Sequence, residues 1–324
     1  KITGRMKESD FEFIRDEMGQ LEAINIKDVK VLNVQVNFDF KERFWDDDVL
    51  PTDAFKRMTG LRSIVLPDSI YGIGYGSLAG LILKTPLLLP DNITHIFDQA
   101  FVETDCDIEL PHRLEYIGRS AFSRSHCRGE LRLSETIKYI DEYAFREAED
   151  FWGTLSLPSG LEYLGEDAFS QCGTALQGDL VISTTLSSLP PEALRANMGE
   201  NSRLLLHEGI IEIGVPRSMN SMPTYPVISE KIYINNMILP SSLEHIGPNA
   251  FRGCSIGGEL HLPDNIKVIE SGAFSSTDIN GTLELPKSLQ TVMSDTFAWT
   301  NISRLEALNI QVIESGAFWG CRNL

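Results

Sequence analysis

Positive charge is scarce in this sequence of 324 residues. It has 28 Lys and Arg against 46 Asp and Glu, which gives a formal net charge of −18. Nucleic acids and anionic bilayers are bound through clusters of Lys and Arg, and the sequence has no basic stripe. A run of about 18 apolar residues, the length that a membrane-spanning helix needs, is also missing. We therefore expect neither a nucleic acid partner nor direct insertion into a membrane.

Motifs for catalysis and metal binding are missing as well. The sequence has no G-x-S-x-G, H-E-x-x-H or P-loop motif, and no G-x-G-x-x-G motif in a strand–helix context. Its 5 cysteines include no C-x-x-C pair, and its 6 histidines are scattered. His245, Glu259 and His261 come nearest to a set of metal ligands, and we expect them to be solvated surface residues. We therefore predict no enzymatic activity, no cofactor and no bound metal.

What the sequence does contain is one string that returns along the chain. It reads LPHRLEYIGRSAF at 110–122, LPSGLEYLGEDAF at 157–169 and LPDNIKVIESGAF at 262–274. The general form is L-x-L-P-x-x-[LI]-x-x-[IL]-x-x-x-A-F, and its last residue marks each copy. The markers are Phe55, Leu78, Phe101, Phe122, Phe145, Phe169, Leu194, Phe251, Phe274, Phe297 and Phe318. They recur every 21 to 25 residues except between Leu194 and Phe251, which indicates a solenoid of stacked coils.

The form of the string predicts the shape of one coil. L-x-L alternates with period two, so we expect a short strand there, with both leucines facing the core. The following Pro cannot donate to a strand ladder and should end the strand. The next two aliphatic residues and the Ala-Phe pair should complete the core. Because one coil cannot bury these side chains alone, neighbouring coils must stack, and we predict that the marker phenylalanines are buried against each other.

The pattern L-x-L-P…I…A-F-x-x-C resembles the BspA-like, or treponemal-type, leucine-rich repeats. The A-F-x-x-C part is intact at 168–172, 250–254 and 317–321. The resemblance implies an α/β-type leucine-rich-repeat solenoid, a β-rich right-handed superhelix or arc of about 11–12 coils. A parallel strand ladder would line one face, and short helical turns or loops the other. The family further implies a secreted or cell-surface protein, typically bacterial, that serves adhesion or protein binding rather than catalysis.

The cysteines keep a fixed phase in the repeat. Cys172, Cys254 and Cys321 follow their marker Phe by three residues, and Cys106 and Cys127 follow theirs by five. Cysteine in a constant repeat position is typical of a small buried apolar residue. We therefore expect no disulfide among the first three. Cys106 and Cys127 occupy matching places in adjacent coils, so a disulfide between them stays open.

Two regions depart from the repeat. Residues 1–50 begin with a predicted short helix, DFEFIRDEM, and LEAINI at 21–26 matches LRSIVL at 61–66 in frame. We interpret 1–50 as an N-terminal capping region that precedes the repeats of 51–324, because a terminal repeat needs a non-adhesive outer face. A longer insertion stands around 214–236. It is either a tolerated insertion or a loop on the binding face.

One variable position of the repeat carries an unusual set of residues. Immediately before the second inward aliphatic stand His95, Tyr116, Tyr139 and Tyr163, in four consecutive coils. Elsewhere the same position holds Gly72, Ser188, Glu212, His245, Val268, Thr291 and Val312. Stacking should bring the four rings side by side in a partly exposed stripe that could hold a protein or stack against sugars. The alternative is that the rings pack across the edge of the core.

These observations predict a non-enzymatic binding or adhesion module whose surface is built by repeats. The expected partner is a host or matrix protein, or a neighbouring component of the cell surface. The alternative is a glycan-binding surface protein that uses the aromatic stripe. We expect an extracellular or cell-surface location, and because the chain starts at Lys1 without a leader-like segment, we expect any signal or lipid anchor to have been removed.

Overall fold

The fold was analysed in a computed structural model of the whole chain. The structure describes residues 1–38, 42–173, 176, 180–182, 185–195, 204–216, 225–228, 233–235 and 237–324. The chain divides into two compact units, Lys1–Thr174 and Ala175–Leu324. In both units it winds as a parallel-strand β-solenoid with very little helix. The insertion predicted around 214–236 lies for the most part outside the described residues.

The described residues contain one α-helix, Glu8–Glu17, and many short strands. In the first unit the strands are Thr3–Lys7, Ala23–Asn25, Asp28–Leu32, Val34–Phe38, Glu42–Asp46, Val49–Leu50, Ser63–Val65, Gly72–Ile73, His95–Ile96, Asp105–Asp107, Tyr116–Ile117, His126–Glu130, Tyr139–Ile140, Phe151–Trp152 and Tyr163–Leu164. In the second unit they are Leu180–Val181, Ser188–Leu189, Leu204–Leu205, Glu212–Ile213, Tyr233–Asn235, His245–Ile246, Ser255–Gly257, Val268–Ile269, Asn280–Glu284, Thr291–Val292, Asn301–Glu306 and Val312–Ile313. Strands of successive coils pair in parallel, whereas Val34–Phe38 and Glu42–Asp46 are antiparallel.

A parallel sheet of six described strands runs through the first unit, and we call it the main ladder. It joins Val49–Leu50, Gly72–Ile73, His95–Ile96, Tyr116–Ile117, Tyr139–Ile140 and Tyr163–Leu164 in that order. Each of these strands consists of the second inward aliphatic of the repeat and the residue before it. The N–H groups of Tyr116 and Gly118 both donate to carbonyl oxygens of the preceding coil, at 3.2 and 2.8 Å. These two N–H groups therefore bond to the preceding coil, while the alternation of a parallel sheet directs the N–H group of Ile117 between them to the following coil.

The structure corrects the predicted position of the ladder within the coil, which was the L-x-L motif. At this motif Ile108 and Leu110 are buried and Glu109 is exposed, so the predicted alternation holds. However, Ile108 forms an isolated bridge with Leu87 instead of a strand. The residue that follows the motif is Pro111, which has no N–H to extend the pairing. A smaller set of copies does carry a strand through this position: Ser63–Val65, Leu180–Val181, Leu204–Leu205 and Asn280–Glu284.

The segment around each marker residue forms a second line of bonds between coils, which we call the turn ladder. The residues two before and two after the marker have positive φ, for example Gln99 at 57° and Glu103 at 56° around Phe101. The N–H groups of Gln99, Phe101 and Glu103 donate to carbonyl oxygens of the following coil at 2.7–3.2 Å. The N–H groups between them close turns within their own coil. The bonds of the turn ladder therefore all point from each coil to the following one.

The marker phenylalanines form the centre of the core, as predicted. In the first unit the rings of Phe101, Phe122, Phe145 and Phe169 stack nearly parallel, with centroids 4.8, 5.0 and 5.1 Å apart. All four are fully buried. In the second unit the corresponding rings are Phe251, Phe274, Phe297 and Phe318, at steps of 5.3, 5.6 and 5.6 Å. The prediction of stacked and buried marker rings is confirmed except at Phe318, which stacks on Phe297 but is half-buried.

The N-terminal region packs directly onto the first marker. The helix Glu8–Glu17 includes the segment predicted to be helical except for its last residue, Met18, and its fully buried Phe11 meets Phe55 edge to face at 5.8 Å. Arg15 donates to the carbonyl oxygen of Asp53 at 3.1 Å, in the same coil. Strand Ala23–Asn25 pairs with Ser63–Val65 in the frame expected from LEAINI and LRSIVL. The interpretation of 1–50 as a capping region stays a prediction.

The cysteines are free thiols in the structure. Cys172 and Cys254 are buried and Cys321 is half-buried. Burial raises the pKa of the Cys172 thiol well above its usual range. Cys106 and Cys127 stand opposite each other on adjacent strands, with their Sγ atoms 3.4 Å apart and both side chains fully buried. Their placement therefore permits a disulfide that the structure does not contain.

Candidate interaction surface

The four residues singled out from the sequence form one continuous column of the main ladder. His95 pairs with Tyr116, Tyr116 with Tyr139, and Tyr139 with Tyr163. Each is followed by an aliphatic residue that is at most 1% exposed, and that neighbour fixes the direction of the ring. We call these four residues the aromatic stripe. The sequence therefore predicted the column and its register correctly, whereas its binding role stays a prediction.

The first half of the aromatic stripe is packed. The rings of His95 and Tyr116 stack at 5.9 Å with an interplanar angle of 26°, and Phe97 lies 5.6 Å from His95 and 6.1 Å from Tyr116. Tyr71 meets His95 edge to face at 5.9 Å. Tyr116 is only 6% exposed, so the exposure expected for the stripe does not extend to it. This half matches the alternative of rings packed across the edge of the core.

Burial also sets the charge state of this half. It lowers the pKa of His95, and the nearby Glu115 carboxylate only partly offsets that effect. The ring is therefore neutral at neutral pH, and its Nδ1 lies 2.8 Å from the Thr94 hydroxyl. A neutral imidazole stacked between aromatic rings behaves as one more apolar ring of the cluster.

The second half of the aromatic stripe faces solvent. Tyr139 is 42% exposed and Tyr163 is half-buried, with ring centroids 6.4 Å apart and planes tilted by 33°. The Tyr139 hydroxyl donates to a carboxylate oxygen of Glu162 at 3.1 Å, and this bond raises the pKa of Tyr139. Lys138 lies 3.6 Å from the same carboxylate. Two neighbouring rings are thus accessible, with polar groups along their edges.

Phe97 is the member of the cluster that the sequence reasoning missed. It follows the inward Ile96, at a position where other coils have Gly74 or Gly118. Its ring fills the space beside Gly72, since a Cβ at Gly72 would lie 2.9 Å from the Phe97 Cε2 atom. The signal was present in the sequence as one large aromatic residue in a position that usually holds a small or polar one.

Carboxylates dominate the surroundings of the exposed half. Glu115 and Glu162 are exposed, and Asp141 and Glu142 are half-buried. The Tyr116 hydroxyl lies 3.5 Å from a carboxylate oxygen of Asp141, and the Tyr139 hydroxyl bonds to Glu162. Each of these tyrosine hydroxyls thus faces an acid of the following coil. The nearby cations Lys138 and Arg119 are each paired with one of these acids. A partner therefore meets two rings bordered by negative charge.

The repeats themselves decide the family. The family description "BspA type Leucine rich repeat region" matches the chain in 6 copies, over residues 48–148 and 226–324. The chain belongs to this family. A BspA-type leucine-rich repeat chain is a repeat-built interaction module, generally without enzymatic activity and typically on the surface or secreted.

Solved structures similar to this BspA-type chain are leucine-rich repeat proteins of bacteria. One from Bacteroides ovatus ATCC 8483 has a TM-score of 0.46 and 21% identity, covering 94% of this chain and 85% of that protein. One from Eubacterium ventriosum ATCC 27560 has a TM-score of 0.44 and 15% identity, covering 99% of this chain and 89% of that protein. No functionally curated protein matches the chain.

The residues that came nearest to a set of metal ligands in this BspA-type chain are only partly solvated. Glu259 and His261 are exposed, as expected, whereas His245 is half-buried and lies 2.6 Å from a carboxylate oxygen of Glu270. Across the part of the chain that the structure describes, no group of three or more His, Cys, Asp or Glu could hold a metal ion. Within the same residues, no helix combines the length and apolar character needed to cross a bilayer.

Proposed function

We propose that this chain is a secreted or surface-exposed adhesion module that binds a partner protein through the exposed half of its aromatic stripe. The observation that carries the proposal is the pair Tyr139 and Tyr163, two rings in register with centroids 6.4 Å apart, of which Tyr139 is 42% exposed. Tyrosine is enriched among the residues that contribute most to protein interfaces, because a rigid amphipathic ring gives large contact area at little entropic cost.

The solenoid itself does not need aromatic rings at this position. In the second unit Ser188, Val268 and Thr291 occupy it, and the strands that contain them still pair in parallel. The first half of the stripe has a packing role because Phe97 covers it. The exposed pair lies beyond that cover, and this favours a role in recognition.

The charges around the pair indicate the chemistry of the partner. With Glu115, Asp141, Glu142 and Glu162 around two tyrosine rings, a surface rich in Arg and Lys would be attracted and could stack cations on the rings. We propose a basic patch on a host or matrix protein, or on a neighbouring component of the cell surface. A glycan is the alternative occupant, but planes tilted by 33° do not offer one flat platform for a sugar ring.

A binding screen with a matched control tests the proposal. The chain is passed over immobilised basic matrix proteins and Arg/Lys-rich peptides, with a glycan array in parallel. Tyr139→Ala should weaken binding about tenfold, or by more than about 1 kcal/mol. The matched control is Phe13→Ala, because Phe13 is an aromatic residue that is 61% exposed on the N-terminal helix, outside the aromatic stripe.

The melting temperature separates binding from stability. Tyr139→Ala should melt within a degree or two of the wild type, because a solvent-facing side chain contributes little to the core. A large loss of stability with unchanged binding would assign Tyr139 to packing and end the proposal. Glycan binding that Tyr139→Ala weakens, without any protein binding, would instead support the alternative.

A further inference from the structure

A groove on the turn ladder of the second unit has the make-up of a binding site. Its volume is about 290 Å³, and it crosses the three coils marked by Phe251, Phe274 and Phe297. Small-molecule sites begin at about 300 Å³, so the groove is large enough for a single small ring and its substituents.

The repeat explains why the groove forms here. In the central coil the residues flanking the marker are small, and Gly272, Ser275 and Ser276 form the floor. In the coils on either side the corresponding segments carry larger side chains, including Arg252 on one wall and Trp299 on the other. The small residues of the central coil, between Arg252 on one side and Trp299 on the other, leave a depression. The groove therefore results from differences in side-chain size between successive coils.

Trp299 is held in place as a flat wall. It has a φ of 60°, and its ring lies directly over Gly320 of the following coil, where a Cβ would approach to 2.5 Å of the indole. One face of the indole therefore rests on backbone that no side chain can displace. The residue is nevertheless 55% exposed and lines the groove. An indole that is fixed and exposed is a preorganised stacking surface.

Three polar side chains of the groove form no hydrogen bond or ion pair within the described residues, whereas Ser294 bonds to Glu314. One of the three is Ser275, whose hydroxyl belongs to the lining. The other two, Arg252 and Asp295, are exposed on opposite walls. Donors and acceptors thus converge on the same space as the indole.

We propose that this groove binds a neutral pyranose unit of a glycan. The apolar C–H face of the sugar stacks on Trp299, and its hydroxyl groups bond to Ser275, Asp295 and Arg252. One cation and one anion on the walls leave the site without net charge, which favours a neutral polyol over an acidic sugar or a phosphate. The site is separate from the aromatic stripe, which lies in the first unit.

The test uses the full chain and a glycan array that carries neutral, sulfated and sialylated glycans beside a peptide set. Hits are confirmed by calorimetry with methyl glycosides of neutral hexoses and N-acetylhexosamines. Trp299→Ala should weaken this binding at least tenfold. Trp152→Ala is the matched control, because Trp152 is also 55% exposed but belongs to the first unit, and it should leave binding unchanged.

A second variant shows whether a loss of binding could come from misfolding. Ser276→Gln fills the floor of the groove with a residue that the repeat accepts at the equivalent place, since Gln171 stands there with a φ of 56° in another coil. It should abolish sugar binding at an unchanged melting temperature. The proposal is overturned if no neutral glycoside binds, if only anionic glycans or peptides bind, or if the Ser276→Gln chain binds as the wild type does.

Discussion

Truncating one marker ring should weaken the first unit more than any surface change. Phe145 is fully buried, with Phe122 at 5.0 Å, Phe169 at 5.1 Å and Phe151 edge-on at 5.8 Å. Phe→Ala in a well-packed core costs about 3–5 kcal/mol through lost burial and the cavity left behind. Because three aromatic neighbours lose a partner at once, we expect Phe145→Ala at the upper end of this range.

The assay should also show where the loss is located. A solenoid is held by contacts between neighbouring coils, so the two interfaces of the affected coil weaken first. Urea unfolding should report the overall loss, and hydrogen exchange should show reduced protection of the Phe122 and Phe169 turn amides. Phe13→Ala is the control, because Phe13 is 61% exposed and should change stability by less than about 0.5 kcal/mol.

Two results would refute this reasoning. One is a loss below about 1 kcal/mol for Phe145→Ala, which would mean that the stacked rings are not a continuous core. The other is a loss of protection spread evenly over the unit, which would contradict stabilisation by neighbouring coils.

Three further predictions concern the N-terminus, the thiols and pH. If 1–50 caps the solenoid, Phe11→Ala should lower the unfolding free energy by about 3 kcal/mol while Phe13→Ala on the same helix does not, and equal effects in urea titrations would contradict the cap. Mild oxidation should join Cys106 to Cys127, closing a loop of 21 residues and adding about 3 kcal/mol, so that three of the 5 cysteines remain alkylatable after unfolding, whereas five alkylatable thiols would count against it. Because burial lowers the pKa of His95, the unfolded chain binds the extra proton first. Stability should therefore fall as pH drops below about 6.5 and level off below the folded-state pKa. His95→Phe should flatten this part of the pH profile, and an unchanged profile would show that other groups cause it.

Features that depend only on position within the repeat could be predicted from the sequence. The register of Tyr116 with Tyr139 follows from the constant distance to the marker residue, and the structure reproduces it. The same logic placed LEAINI beside LRSIVL and the marker rings on top of one another. In a repeat, position along the string determines position in space, and no long-range information is needed.

Features that depend on neighbouring side chains could not be predicted in this way. The burial of Tyr116 results from Phe97 in the preceding coil, which breaks the size pattern of its own position. The choice of strand position depends on which N–H groups remain available beside Pro111, and that is a property of pairing rather than of hydrophobic alternation. The groove beside Trp299 exists only because three successive coils differ in side-chain size.

The bonding direction of the turn ladder has an electrostatic consequence. Each peptide unit carries a dipole of about 3.5 D, and in an α-helix these add along the axis to a partial charge at each end. In the turn ladder the N–H groups of Gln99, Phe101 and Glu103 all donate to the following coil, so their dipoles align along the stacking direction with the positive end towards the later coils. The dipoles of the main ladder alternate, as they do in any sheet, and leave only a small sum. The edge of the solenoid that carries the marker turns is therefore its polarised edge.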